Sequence, residues 1–498
     1  MKTNSIRLAA LALFLSTIHS QLSTAHAQGS LTPPGAPAPT MKTLAQIEPR
    51  TPISAAGQAI GSGSYYLTAN LTGVASGSGI TVTANDVTID LNGFELIGVA
   101  GSFAGIGIFG GVSNVTIRNG TIRNWGGDGI DGTGNARVRA ENVQVINNSS
   151  HGIVVDVNSA VINCVAQGNA GNGIKALDNC LIENCQAIST TGAPGNGILT
   201  GDSCHISRCV ARSNAGIGIG AGANVAISNC TQQSNGGAGI STGNNAAISN
   251  CTAQGKVGFG IKVTDNCTVA DCAAISTTGV GAWGISTGDT CVVSGCTARL
   301  NAGDNIHVGA NATVVKCSAT GSTTGDGINA TAGRSLISQC NANSNNQNGI
   351  NANNRASVLD CSASSNSQSG IHITLVGTVE RCFCNLNAIC GILEDSGGFV
   401  DIRNNHCSEN GAAASGAGIR VNSAGGCRVE GNNLYQNFRG IDILTSRNII
   451  VKNVATFNTN ADYNISPSNS FGPIVNIAGV GDISATAGAN HPFANFRY

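Results

Sequence analysis

The sequence predicts an all-β fold, a right-handed parallel β-helix of roughly 16 coils of 21–24 residues with three short strands in each coil. The first observation is an isoleucine that recurs sixteen times from Ile108 to Ile441, mostly at steps of 21 or 22 residues. Glycine precedes every one of these isoleucines except Ile306. A fixed period of this size is typical of a solenoid, in which each repeat buries its hydrophobic face against the next.

The second and third observations are a cysteine column and an asparagine column. Eleven cysteines from Cys164 to Cys382 follow their isoleucine by 11 or 12 residues, each with Ile or Val three positions earlier. Apolar pairs two residues apart, broken by polar residues or glycine, indicate short strands rather than helices. Asparagine follows the cysteine by five positions in seven coils, as at Asn345 and Asn366, and a stack of such amides can hydrogen-bond along the axis. Stacking at ~4.8 Å predicts a solenoid about 75–80 Å long.

Five segments follow from the composition along the chain. Residues 1–27 have a basic start, a short apolar run and the cleavage pattern Ala25-His26-Ala27, which predict a signal peptide. Residues 28–52 form a proline-rich leader or linker. Residues 53–100 are assigned to an N-terminal cap and first coil, 101–465 to the β-helix and 466–498 to a C-terminal capping tail. We therefore expect a secreted, extracellular or cell-surface protein, with the periplasm as the alternative.

The charge and the later segments exclude some classes of partner. Removing Lys2 and Arg7 with the signal peptide takes the formal charge from −1 to −3, so the surface is nearly neutral and nucleic acid is not an expected partner. No later segment approaches twenty apolar residues, which argues against a membrane span. Residues 178–192 and 265–279 nearly match, and the isoleucines of their coils are 87 residues apart. A block of four coils has been duplicated, and residues 205–300 are interpreted as spacer.

Nineteen cysteines in an exported chain raise the question of disulfides. The ladder cysteines lie on an inward column beside Ile, Val and Ala, so we interpret them as small buried hydrophobes. Cys180 and Cys204, and likewise Cys267 and Cys291, lie on adjacent coils within disulfide range and are the candidates for bridges. No C-x2-C pair occurs, so we expect no metal site built on cysteine.

The Gly-Ile coil, the asparagine stack and the opening Ile89-Asp90-Leu91-Asn92-Gly93-Phe94 resemble the pectin-lyase-like superfamily of right-handed parallel β-helix proteins. The chain also resembles a set of secreted bacterial β-helix proteins without assigned function, through residues 32–44, 48–53, 65–73 and 494–498. The superfamily includes lyases, hydrolases, epimerases, adhesins and inert scaffolds, so the resemblance implies the fold rather than an activity. Of the signature motifs of the enzymes, only His151-Gly152 has a counterpart here.

The first candidate site lies on outward positions near the N-terminal end. Asp128 and Asp131 share one coil, His151 lies on the next and Lys175 on the one after. These carboxylates and the imidazole are the candidate groups for acid–base catalysis on a sugar. Trp125 and Lys175 are the candidate substrate-binding residues. The alternative is an ordinary solvated face near the cap, with Trp125 covering the core.

The second candidate site combines Asp304 and His307 on one coil with Asp326 on the next, and His372 lies three coils from His307. Asp304, His307 and Asp326 are the second choice for catalytic groups, after Asp128, Asp131 and His151. Asparagines between them extend a row of hydrogen-bonding groups that suits a chain of hydroxyls or a metal. The alternative is again a polar solvent face.

These observations favour a protein that engages an extended polymer, most plausibly a polysaccharide or another polymer of the cell envelope. If it is an enzyme, we expect a polysaccharide lyase, glycoside hydrolase or epimerase. The rival hypothesis is a non-catalytic rod for adhesion or envelope structure. We expect no cofactor; residues 126–131 fit the start of a calcium-binding nonapeptide repeat, which leaves calcium as an alternative. The sequence is silent on the oligomeric state.

Overall fold

The computed structural model describes residues 42, 44–411, 415–423, 425–479 and 481–498. The predicted signal peptide and residues 28–41 of the leader lie outside these residues. The chain divides into two units, Met1–Arg50 and Thr51–Tyr498. The described part of the first unit has one short helix, Leu44–Ile47, and an ion pair of 2.7 Å between Arg50 and Glu48.

The second unit is a right-handed parallel β-helix, as the sequence predicts. Its strands stack in three ladders, and every described strand pair is parallel. The first ladder, which we call the isoleucine sheet, holds the recurrent isoleucines. Its nineteen strands are Gln58–Ile60, Ile80–Val82, Ile106–Ile108, Ile130–Gly132, Ile153–Val155, Ile174–Ala176, Ile198–Leu199, Ile219–Ala221, Ile240–Thr242, Ile261–Lys262, Ile285–Ser286, Ile306–His307, Ile328–Ala330, Ile350–Asn353, Ile371–Thr374, Cys390–Glu394, Ala417–Val421, Arg439–Ile443 and Ala461–Ile465.

The second and third ladders lie before and after the ladder cysteine. They join into one sheet because Ser113–Arg123 and Ala136–Ile146 run through both. The other strands of the second ladder are Thr51–Ile53, Gly63–Leu67, Val87–Asp90, Ala160–Ile162, Leu181–Glu183, His205–Ser207, Ala226–Ser228, Ala247–Ser249, Thr268–Ala270, Val292–Ser294, Thr313–Val315, Leu336–Ser338, Ala356–Leu359, Gly377–Glu380, Val400–Arg403, Arg428–Glu430, Ile449–Val451 and Ser470–Phe471. Those of the third are Leu71–Thr72, Glu95–Ile97, Val165–Gln167, Gln186–Ile188, Val210–Arg212, Thr231–Gln233, Thr252–Gln254, Ala273–Ile275, Thr297–Arg299, Ser318–Thr320, Asn341–Asn343, Ser362–Ser364, Phe383–Asn385, His406–Ser408, Asn433–Tyr435, Val454–Thr456, Ile474–Asn476 and Asn495–Arg497.

The number of coils exceeds the predicted sixteen. Residues 53–100 hold two strands of the isoleucine sheet, Gln58–Ile60 and Ile80–Val82, where the sequence predicts one coil. Tyr463 takes the isoleucine position in a last strand. The register also differs at one position, because Ile130 pairs with Ile106 rather than with Ile108. Gly79-Ile80 keeps the Gly-Ile pattern but was left out of the count, and Gln58 and Tyr463 replace isoleucine in the first and last strands, so the count of sixteen was too low.

The residue before each ladder cysteine forms the turn between the second and third ladders and has a left-handed backbone conformation. Asn163 and Asn184 have φ of 55° and 52°, the left-handed region that asparagine tolerates better than most residues. This bend turns the following cysteine inward, and Cys164 and Cys185 are fully buried. The core is therefore a stack of Ile, Val, Cys and Ala columns, with isoleucines such as Ile153 completely shielded from solvent.

The predicted asparagine ladder is confirmed in the C-terminal half. Asn345 donates from Nδ2 to Oδ1 of Asn366 at 3.0 Å, and Asn366 donates in the same way to Asn387 at 2.9 Å. At Ser322 the side chain is too short to continue the ladder. Asn305, the one residue that replaces glycine before a repeat isoleucine, fills this gap: it accepts from Asn301 at 2.8 Å and donates to Asn345 at 2.8 Å.

All nineteen cysteines are buried free thiols, which corrects the disulfide hypothesis for Cys180, Cys204, Cys267 and Cys291. The thiol of Cys180 donates to the carbonyl of Asp156 at 3.1 Å, and that of Cys204 donates to the carbonyl of Leu177 at 3.1 Å. Their thiols also accept backbone bonds, since Cys180 N donates to Cys204 Sγ at 3.3 Å. The thiols of Cys180 and Cys204 therefore form hydrogen bonds with backbone groups in the turns of the solenoid.

The last residues close the end of the ladders. The strand Asn495–Arg497 pairs with both Val454–Thr456 and Ile474–Asn476. The hydroxyl of Tyr463 donates to the carbonyls of Asn453 and Phe496, at 2.8 and 2.9 Å. In the part of the chain that the structure describes, no helix is long and apolar enough to cross a membrane.

Candidate functional site on the isoleucine sheet

Two outward columns flank the isoleucines: the residue two positions before each one and the residue one position after it. Since the isoleucines stack in register, these residues stack as well, and His307, Asn329, Asn351 and His372 are successive partners. Over six consecutive coils these columns carry aromatic, imidazole, carboxylate and amide groups. We call this set, together with Asp395 in the turn of the next coil, the outer strip; it consists of Phe259, Trp283, Asp304, His307, Asp326, Asn329, Asn348, Asn351, His372 and Asp395.

His307 is the most tightly positioned side chain of the outer strip. Its ring stacks on Trp283 with centroids 3.6 Å apart and planes within 9°. Its Nδ1 lies 2.9 Å from Oδ2 of Asp304, and because a carboxylate only accepts, Nδ1 carries the proton. The carboxylate thus fixes the ring orientation and leaves Nε2 as the nitrogen available to a ligand. About a quarter of the His307 side chain (26%) is exposed, so a ligand can reach it.

Asp326 is the hydrogen-bonding hub of the next coils. Its Oδ1 accepts from the backbone N and from Nδ2 of Asn348, at 2.9 and 3.1 Å. Its Oδ2 accepts from Asn329 at 3.2 Å and from Asn351 at 2.9 Å. Asp326 is almost completely buried, and this burial raises the pKa of its carboxyl; the bond from Asn351 lowers it and the negative charge of Asp304 raises it further. Four donors therefore hold this carboxylate and orient the amides around it.

His372 continues the outer strip toward the C-terminal end. Its Nδ1 lies 3.1 Å from Oδ1 of Asn351, which links it to the amides around Asp326. Its Nε2 lies 2.9 Å from Oδ1 of Asp395, a close approach that lacks hydrogen-bond geometry. A chain of contacts thus runs from Trp283 to Asp395. Asp304 and Asp326 are joined directly, because the backbone N of Asp326 donates to Oδ1 of Asp304 at 2.8 Å.

At the other end of the outer strip the aromatic groups continue for one more coil. Phe259 lies 5.5 Å from Trp283 between ring centroids, and Nζ of Lys262 lies 5.2 Å from the centroid of Phe259. Gly303 provides the room for Trp283, because a Cβ at Gly303 would lie 2.6 Å from the indole ring. The aromatic end and the amide end of the strip are therefore contiguous.

The first candidate site forms part of a separate groove near the N-terminal end. A cavity of about 720 Å³ is lined by residues that include Phe103, Phe109, Asp128, Asp131 and Ser150. Asp128 accepts at 2.7 Å from the backbone N of His151. Nδ1 of His151 in turn accepts at 2.8 Å from the backbone N of Asn172. The structure therefore brings the two carboxylates to one groove and ties the imidazole to the backbone, and the catalytic roles of these residues stay a prediction.

The two predicted substrate-binding residues of that site do not join it. Trp125 is completely buried, and its indole N–H donates to the carbonyl of Leu96 at 3.1 Å, so the prediction of an exposed sugar platform is wrong. Gly73 and Gly79 leave room for its ring, since a Cβ there would lie 2.4 and 2.7 Å from it. Lys175 is separated from Asp131 by Val154, which stands between them in the outward column.

Sequence reasoning missed Phe259, Trp283 and Asp395 as members of the outer strip. The signal was present, because Phe259, Trp283, Asp304 and Asp326 each stand two positions before a repeat isoleucine in consecutive coils. Asp395 gave no such signal, since it lies in the turn after the strand. Among the described residues, no group of three or more His, Cys, Asp or Glu side chains is arranged to hold a metal ion.

Comparison with known proteins identifies the repeat. The family model described as right handed beta helix region matches residues 70–205, 159–298, 195–335 and 305–459. A search of curated proteins gave no match.

Three solved structures are similar. The A-module of mannuronan C-5 epimerase AlgE4 of Azotobacter vinelandii is 12% identical, with 69% of this chain and 86% of that chain covered and a TM-score of 0.32. A mutant of the periplasmic alginate epimerase AlgG is 9% identical, with 68% and 77% covered and a TM-score of 0.31. The Dettilon tailspike protein is 12% identical, with 67% and 61% covered and a TM-score of 0.33.

Proposed function

Because this chain belongs to the right-handed beta helix family, whose stacked coils repeat outward positions in register, we propose that it is a secreted or cell-surface protein that binds an extended polysaccharide along the outer strip. The observation that carries the proposal is the continuous row of groups from Trp283 to His372. It combines a stacked aromatic pair with amides and imidazoles at a repeat of ~4.8 Å. A chain of hydroxyls can meet such a row at several successive points.

The polar groups of the outer strip are held in place before any ligand arrives. Asp304 orients His307, and Asp326 orients Asn329 and Asn351. Side chains fixed by such bonds lose little conformational entropy on binding, which favours affinity. Trp283 adds an apolar surface of the kind that packs against a sugar ring.

Binding is tested with the protein from Gln28 onward and a panel of polysaccharides, measured by calorimetry. Trp283→Ala and His307→Ala are expected to weaken binding about tenfold each, because each removes part of the stacked pair. Phe383→Ala is the matched control, since Phe383 is a partly exposed aromatic residue on the third ladder that also stacks on a histidine. Equal losses in all three variants, or none in any, would contradict binding at the outer strip.

A second candidate function is catalysis by proton transfer, favoured by the contact between Asp304 and His307. A carboxylate that holds Nδ1–H of an imidazole leaves Nε2 suited to accept a proton from a substrate or water. The competing catalytic assignment remains Asp128, Asp131 and His151.

One assay separates these alternatives. New reducing ends and unsaturated ends are measured after incubation with each polysaccharide. Loss of product in His307→Gln places catalysis on the outer strip, and loss in Asp128→Asn places it in the N-terminal groove. No product with any glycan, together with retained binding, would favour the non-catalytic rod.

A further inference from the structure

The outer strip carries carboxylates but lacks the cations that an acidic polymer needs. From Trp283 to Leu393, the two outward columns contain no lysine or arginine. Lys262 lies beyond one end of this stretch, and Arg420 beyond the other is held by Asp442 at 2.8 Å. Arg334 and Arg355 come only in the turns that lead into the second ladder. The strip therefore contains three carboxylates, the buried Asp304 and Asp326 and, in the turn at its C-terminal end, Asp395.

The protein itself uses most of the hydrogen-bonding capacity of the Asp304 and Asp326 carboxylates. Asp304 accepts from His307 and from the backbone of Asp326, and Asp326 accepts four bonds from three asparagines. They have little capacity left to bind a ligand, but their negative potential acts on any charge brought to the strip. Like charges placed together at a binding surface disfavour the wrong partner, because their repulsion is not offset by a hydrogen bond.

Neutral hydroxyl groups are not repelled by these carboxylates and can bind to the other polar groups of the outer strip. The amides of Asn329 and Asn351 and the rings of His307 and His372 are each partly exposed. Amide and imidazole groups can both donate to and accept from a hydroxyl, whereas a carboxylate ligand would require donors that carry positive charge to offset its loss of hydration.

We infer that the outer strip accepts uncharged polysaccharides and rejects polymers of uronic acids. The inference rests on the proposed function, since it names the class of glycan that the same strip would bind. The charge on this strip has the wrong sign for an acidic glycan.

The experiment compares neutral and uronic acid oligosaccharides of equal length on the protein from Gln28 onward. Calorimetry at low salt is expected to show binding of at least one neutral glycan and at least tenfold weaker binding of every uronate. Leu393→Lys adds an ammonium group beside His372 in the same outward column, with Leu393→Gln as the matched uncharged control. Only the lysine variant is expected to gain uronate binding, by about tenfold at low salt and less at high salt.

The possible failures are distinct. If the unmodified protein binds uronates as well as or better than neutral glycans, and Trp283→Ala abolishes that binding, the charge inference is overturned while the proposed function survives. If neither class binds, or if binding is unchanged in Trp283→Ala, the proposed function itself is overturned. Circular dichroism of each variant checks that the β-helix is intact.

Discussion

Lys256 is the residue whose environment fits its chemistry least. It occupies the position five residues after Cys251, where other coils carry asparagine, and it is completely buried. Its Nζ has no hydrogen-bond partner among the described residues. Burial lowers the pKa of Lys256 from 10.5 to about 7, because the ammonium group is removed from water. The asparagine ladder is therefore interrupted at this coil by a group that is costly to charge.

Lys256→Asn is expected to stabilise the protein by about 2–4 kcal/mol at pH 7, since it removes this cost and restores an acceptor for the preceding coil. Between pH 7 and 10.5 the unfolded chain binds a proton at Lys256 that the folded chain does not. The destabilisation caused by the buried amine is therefore greatest below about pH 7 and decreases as the pH rises toward 10.5. Denaturant unfolding at several pH values measures both effects.

The difference in unfolding free energy between the variant and the original protein should narrow by about 2–3 kcal/mol from pH 6 to pH 9. The exposed Lys262 supplies the control, because Lys262→Gln should show no such change. A constant difference across this range would mean that the buried amine does not titrate as described.

At the scale of one coil, Asn305 in a strand compensates for the asparagine that is missing from the ladder at Ser322. It lies before Ile306, where the other repeats have glycine, and its amide joins Asn301 to Asn345 across the coil that carries Ser322. The substitution in the strand therefore repairs a shortening in the turn. Neither residue can be understood without the other.

Asn305→Gly should destabilise the protein by about 1–3 kcal/mol, because it leaves buried amide groups without partners. Ser322→Asn alone should also destabilise, since its side chain competes with Asn305 for the same space. The double variant should recover most of the loss. Urea unfolding of all four proteins gives the coupling energy, and purely additive effects would show that Asn305 does not replace a ladder residue.

The sequence predicts the coil well because one residue type returns to one place in every repeat. The Ile, Cys and Asn columns are visible as a period, and the structure confirms their inward stacking. The site was harder to predict, because outward positions share no residue type from coil to coil. Trp125 and Trp283 illustrate this: glycines on neighbouring coils make a cavity for the first, and His307 makes a stacking partner for the second. Both effects depend on residues far away in the chain.

At the scale of the whole molecule, the core contains nineteen buried free thiols, and the surroundings of some of them favour the neutral form. Burial raises the pKa of Cys390 and of Cys427 to about 11 each. The neighbouring Cys230 thiol and burial raise the pKa of Cys251 to about 12. In the folded protein Cys251, Cys390 and Cys427 therefore keep protons that the unfolded chain releases from about pH 9 upward.

Stability is expected to be constant with respect to these groups below about pH 9 and to fall as the pH rises toward 11. Native protein at pH 8 should leave its cysteines unmodified by an alkylating reagent, and denatured protein should react at every one. Mass spectrometry counts the modified residues. Thr297→Cys, at an exposed outward position, should react in the native state and shows that the reagent is active. Rapid native labelling of the original cysteines would contradict a closed core.

The unbroken register of the isoleucine sheet has a consequence for evolution. The N-terminal groove and the outer strip lie on the same sheet, and eight coil steps from Asp131 to His307 separate them, or about 38 Å. The copied block of four coils lies in this interval and accounts for about half of it. Gain or loss of whole coils changes this distance in fixed increments and leaves the chemistry at either end untouched. The distance between the two candidate sites can therefore change in evolution independently of the side chains that form them.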